Sequence, residues 1–104
     1  MTTTTIVTET MHFMLRLDGG PELVARFLRA AEVEIVDFRQ ITDMERAVAL
    51  MSKYGDTPMD FADATLVLLA DALNQNHICT LDRRGFKTFR TSTGKRFTLV
   101  MDEA

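Results

Sequence analysis

The sequence predicts an α/β domain with a short parallel sheet, and three observations carry that expectation. Apolar residues recur at helical spacing in four stretches. Short β-branched or apolar runs stand among them, and glycine or proline marks most of the joints. Helices that alternate with strands favour parallel pairing, because each helix returns the chain to the edge where the next strand begins. At 104 residues the chain can bury one core but not two, so a single domain over 1–104 is expected.

The first helix is expected over residues 6–17, where Val7, Met11, Met14 and Leu15 form one stripe. The threonines 2–5 before it read as an irregular lead-in, with one of them near the N-cap. "DGGP" at 18–21 stops this helix, and Pro21 suits the first turn of the next. That second helix carries Leu23, Val24, Phe27, Leu28 and Ala31. "EVEIVDF" at 32–38 reads as a strand, with Val33 and Ile35 alternating against charges. Thr42 and Glu45 have capping-box spacing and open a helix whose stripe is Met44, Ala47, Val48 and Met51. It ends near Gly55. A long apolar helix follows over 60–74, then a strand over 77–81, a turn at "STGKR", and a last strand over 97–101.

Bulk properties exclude more than they assign. The net charge of −3 gives no general attraction to nucleic acid, so such a partner needs a local basic patch. One cysteine, Cys79, rules out an internal disulfide and fits a reducing compartment. No apolar run is long enough for a bilayer and the N-terminus has no signal-peptide pattern, so a cytoplasmic, non-membrane protein is expected. No glycine-rich phosphate loop and no serine–histidine arrangement is present.

Chemistry is sought among the carboxylates. Glu9 falls near the first turn of helix 6–17, Asp60 and Asp63 open helix 60–74, and Asp82 follows strand 77–81. In a parallel α/β sheet, strand C-termini and the next helix N-termini share one edge, where ligands bind. Glu9, Asp63 and Asp82 could converge there around a hard divalent cation, and two-metal sites of this kind cut phosphodiesters. Plainer roles compete with that one. Asp60 suits an N-cap better than a ligand position, Asp63 suits either, and Glu9 alone reads as a solvated helix residue. Asp82 could instead be a turn residue paired with Arg83 or Arg84. Asp71 lies eight residues past Asp63, roughly 12 Å along the helix at about 1.5 Å per residue, too far to share an ion, and reads as structural. Arg83, Arg84, Lys87, Arg90, Lys95 and Arg96 form a late basic cluster interleaved with Phe86, Phe89 and Phe97. The phenylalanines are expected in the core, and the cations could line a path for a polyanion. His12 sits mid-helix without a partner at ligand spacing, Cys79 reads as a buried small hydrophobe with no nearby base, and His77 reads as a core or edge residue of a strand.

"KYGDTPMDFADATLVLLADAL" followed by "ICTLDRRGFKTFR" resembles PIN-domain proteins, and within them the VapC-type toxin ribonucleases. The resemblance covers nearly the whole chain and is most specific at Asp63–Ala64 and at Thr80 to Phe86. It implies a PIN-like three-layer α/β/α fold and an endoribonuclease that hydrolyses RNA with Mg²⁺ or Mn²⁺. On it, Glu9, Asp63 and Asp82 are metal-binding catalytic residues, with Asp60 accessory. Arg83, Arg84, Lys87, Lys95 and Arg96 would bind substrate. It also implies a cognate antitoxin as partner. The family's N-terminal strand, which ends in its first catalytic aspartate, has no counterpart here, since residues 1–8 contain no acid. Three strands are then expected, with an open sheet position that implies a homodimer, a rearranged sheet or low stability. The alternative is a catalytically inactive PIN remnant serving as a dimerisation or antitoxin-binding module.

Overall fold

The structure, a computed structural model, describes residues 1–81 and 83–99, leaving aside the side chain of Arg83. In chain order its elements are β1 (Thr2–Thr3), α1 (Thr4–Met14), α2 (Gly20–Ala30), β2 (Ile35–Val36) and α3 (Ile41–Lys53). There follow α4 (Phe61–Leu73), β3 (His77–Ile78), α5 (Arg83–Thr88) and β4 (Thr98–Leu99). Helices and short parallel strands thus make up a mixed α/β chain. β1 pairs in parallel with β2, Thr2 opposite Ile35, and β3 with β4, His77 opposite Thr98.

Met1 joins the two pairs. Its ammonium donates to the His77 carbonyl at 3.4 Å and its carbonyl accepts from the Cys79 amide at 2.8 Å. This alternation around Ile78 is the pattern of a parallel ladder. Met1–Thr3 therefore lies between β2 and β3, and the threonine lead-in expected to be irregular is a strand. Thr2 and Thr3 are each 1% exposed. The expectation of a threonine cap holds, since the Thr3 hydroxyl accepts from the Ile6 amide. The described residues thus supply four strands rather than three, in two parallel pairs that the Met1 hydrogen bonds link.

α4 organises the core. Residues Ala62 through Ala70 are all buried, which accounts for a helix that is apolar on every side. It packs against β1, β3, α1 and, most extensively, α3. Asp60 caps its start and Asn74, in the left-handed conformation, ends it, so the range expected from sequence holds within a residue at each end. Phe86 and Phe89 are buried as expected. Edge-to-face contacts run from Tyr54 to Phe89, Phe86 and Phe97, with centroids 5.0, 5.1 and 5.2 Å apart.

Several local expectations are corrected. α1 begins at Thr4 and ends at Met14, because Thr3 caps it earlier and the chain turns before the paired glycines. Gly19 adopts φ 71°, and a β-carbon on Gly20 would collide with the Met14 carbonyl, so each glycine is required for its own reason. Thr42 and Glu45 form no capping box. Gln40 is the N-cap of α3, its carbonyl accepts from Asp43 and Met44, and no side chain caps the turn. On α3 the face turned to α4 carries Ala47, Leu50 and Met51, whereas Met44 and Val48 are exposed. The strands at 32–38 and 77–81 shrink to two residues each, and β4 occupies only 98–99 of the described part of 97–101.

Candidate functional site

Where α1 and α4 come together, a cleft of about 1120 Å³ opens beside the end of β3. Glu9 reaches its wall from the second turn of α1, not the first, because that helix starts at Thr4. Asp60 and Asp63 line it from the start of α4, and Thr80 and Leu81 border it just past β3.

The local chemistry that holds these carboxylates is visible atom by atom. The Asp63 amide donates to Asp60 Oδ1 at 2.8 Å, and the Asp60 amide donates back to Asp63 Oδ2 at 3.4 Å. This reciprocal capping box satisfies two helix-terminal donors and fixes both side chains. A threonine chain then fastens α4 to α1. Thr3 Oγ1 lies 2.9 Å from Thr65 Oγ1 and caps α1 at the same time, while Thr65 donates to the Ala62 carbonyl at 2.6 Å. The Thr3 hydroxyl therefore ties the helix bearing Glu9 to the first turn bearing Asp63.

Asp63 is 5% exposed, unusual for a carboxylate. The positive end of α4 offsets part of its desolvation, typically about 0.3–1 kcal/mol for a first-turn acid. The donor set of the cleft is hard oxygen, the chemistry suited to Mg²⁺ or Mn²⁺ rather than to a softer metal. Among the described residues, no three of His, Cys, Asp and Glu lie close enough together to hold an ion. Asp82 lies outside the described residues.

Among the described side chains, the late basic residues do not line the cleft, and that of Arg83 lies outside the described ones. Arg84 and Lys87 are exposed on α5. Lys95 and Arg96 sit at the far end of α4, where Lys95 lines a small cavity with Asp71 and Asn74 and the Arg96 carbonyl accepts from Asn76. Asp71 is structural there, accepting from the Ser92 amide at 2.7 Å. Among the described residues, an arginine bordering the cleft is one that sequence reasoning passed over. Arg16 lies on the same wall as Glu9, with its guanidinium 4.6 Å from the ring centre of Phe13. The signal was available: 9, 12, 13 and 16 are spaced as one helical face. His12 lines the cleft as well, whereas Cys79 is buried and burial pushes its thiol pKa up, the nearby N-terminal ammonium opposing in part.

A second opening, about 340 Å³, runs between α1 and α2 and is lined chiefly by apolar groups such as Met14, Leu23, Val24 and Phe27. Among the described residues no helix is long and apolar enough to cross a membrane.

No family model matches the chain. Over 58 residues it is 41% identical to Ribonuclease VapC26 of Mycobacterium tuberculosis. The match takes in 56% of this chain and 43% of that protein, so it spans less than half the relative's length. This similarity supports a relationship to VapC-type ribonucleases.

Proposed function

We propose that the chain is a VapC-type toxin ribonuclease, with a single PIN-like α/β/α domain that hydrolyses RNA phosphodiesters. One observation carries the assignment: Glu9, Asp60 and Asp63, drawn from two helices, line a single cleft at the end of a parallel strand. Similarity to a protein named as a ribonuclease supports it.

In this assignment Glu9, Asp63 and Asp82 hold Mg²⁺ or Mn²⁺, with Asp60 accessory. The ion, when bound, supplies an activated water and stabilises the leaving oxygen of an in-line displacement. The chain's own contribution is order. The reciprocal cap keeps Asp63 from swinging into another rotamer, and the Thr3–Thr65 contact holds α1 at a set distance from α4. A carboxylate fixed in this way presents oxygen donors of the kind a compact, hard cation takes. Arg83, Arg84 and Lys87 meet the RNA backbone beyond Thr80, and a longer strand reaches Lys95 and Arg96. A cognate antitoxin and a second copy of the chain are its expected partners, and the apolar opening between α1 and α2 supports a protein contact on that side.

The test is cleavage of an unstructured RNA by the purified chain with Mg²⁺ or Mn²⁺. Cleavage should vanish with chelator and with Asp63→Asn, whose neutral side chain retains the shape and the capping oxygen. Undiminished metal-dependent cleavage by Asp63→Asn overturns the assignment.

A further inference from the structure

Phe13 and Arg16 have no role in holding a metal, yet both line the carboxylate cleft. Phe13 is 50% exposed, a large apolar surface to leave in water beside acids. Arg16, itself exposed, lies over the ring at 4.6 Å from its centre. Phe13 is also not among the residues that pack against the core. Phe13 stands in the last turn of α1 and Arg16 in the turn just past its end, about one and two helical turns along the chain from Glu9, so a strand leaving the carboxylates in that direction meets them next.

We propose that the Phe13–Arg16 pair is a nucleotide subsite for single-stranded RNA flanking the cleavage point, an inference that rests on the ribonuclease assignment. One unpaired base stacks on the aromatic–guanidinium pair, and the guanidinium N–H groups donate to the adjoining phosphate. Aromatic rings and arginine planes are the usual platforms for splayed RNA bases, and they tolerate any sequence because every base has a π face. Arginine suits the combined task, since its planar group stacks and still presents donors at its edge. A positive charge here also keeps the polyanion from being repelled by Glu9, Asp60 and Asp63 on the same wall. A base-paired strand has no free face to offer, so the subsite selects single strands.

The test uses fluorescence anisotropy with a short labelled single-stranded RNA. The protein is the full chain carrying Asp63→Asn, which leaves the RNA intact. Adding Phe13→Ala should weaken binding about 5- to 150-fold, the range for losing one stacked base, with the salt dependence unchanged. Phe13→Trp should restore it. Arg16→Gln should weaken binding and reduce the slope of log affinity against log salt by about 0.7, one phosphate's worth for a single strand. Arg29→Gln, removing an equal charge from exposed α2, should not change that slope. Parental binding of RNA with unaltered affinity in Phe13→Ala overturns the subsite alone. Absence of RNA binding by both the wild-type and Asp63→Asn chains overturns the ribonuclease assignment and the subsite with it.

Discussion

At Asp60 two demands meet, because the open first turn of α4 needs an acceptor and the cleft beside it holds other carboxylates. The 2.8 Å bond from the Asp63 amide shows the first demand satisfied. Substitution separates the two. Asparagine caps nearly as well as aspartate but is a poor ligand for a hard cation, while alanine does neither. Asp60→Ala should cost about 1 kcal/mol, a fall in Tm of roughly 4–8 °C for a domain of this size. Asp60→Asn should stay within about a degree or two of the parent by the same capping ranking. Thermal melts of the three proteins without added metal check this. A loss in Asp60→Asn equal to that in Asp60→Ala would show that charge, not capping, is what α4 needs there. Cys79 presents a simpler case: burial pushes its thiol pKa up, away from the thiolate that nucleophilic chemistry uses.

Among the elements, α4 was legible in the sequence and β1 was not. A run of apolar residues bounded by an aspartate cap and an asparagine end leaves little room for another assignment, and the structure matches it closely. β1 is two threonines long, with no alternation to betray it, and only its pairing reveals it. The false capping box at Thr42 fails for the opposite reason: a four-residue pattern is short enough to occur where the helix has already begun. Pairing also makes β1 testable. The Thr2 amide donates to the Glu34 carbonyl at 2.9 Å, and Thr2→Pro removes that donor. The loss should be about 1–3 kcal/mol in stability, the cost of a buried group left without its partner. Because Met1 bonds to both His77 and Cys79, the damage should spread to β3. Hydrogen exchange on the native protein would show it as faster exchange at the Cys79 amide in Thr2→Pro. An unchanged Cys79 amide would mean that β1–β2 and β3–β4 behave as separate pairs.

For the molecule as a whole, the carboxylate cleft follows from where α1 and α4 begin, which the sequence conveys through caps and turns. The surface facing away from the core does not follow from them, since periodicity says that a face is apolar without saying what covers it. The α1–α2 hairpin illustrates this. Leu15, Leu17 and Leu23 are 68%, 54% and 50% exposed, and Leu23 borders the apolar opening that also exposes Met14, Val24 and Phe27. Apolar surface exposed to this extent on one hairpin marks a contact site more often than a bare face. If a second copy covers it, light scattering of the purified chain should give twice the 11.8 kDa chain mass, falling to one chain on dilution. Leu17→Glu should shift that equilibrium to the monomer. The residue lies outside the core, so its melting behaviour as a monomer should match that of the diluted parent. The mutation places a charge that would have to be desolvated at the contact, which is costly without a partner. A parent that remains a single chain at every concentration removes the homodimer from the proposed function, and a dimer indifferent to Leu17→Glu moves the contact away from the hairpin.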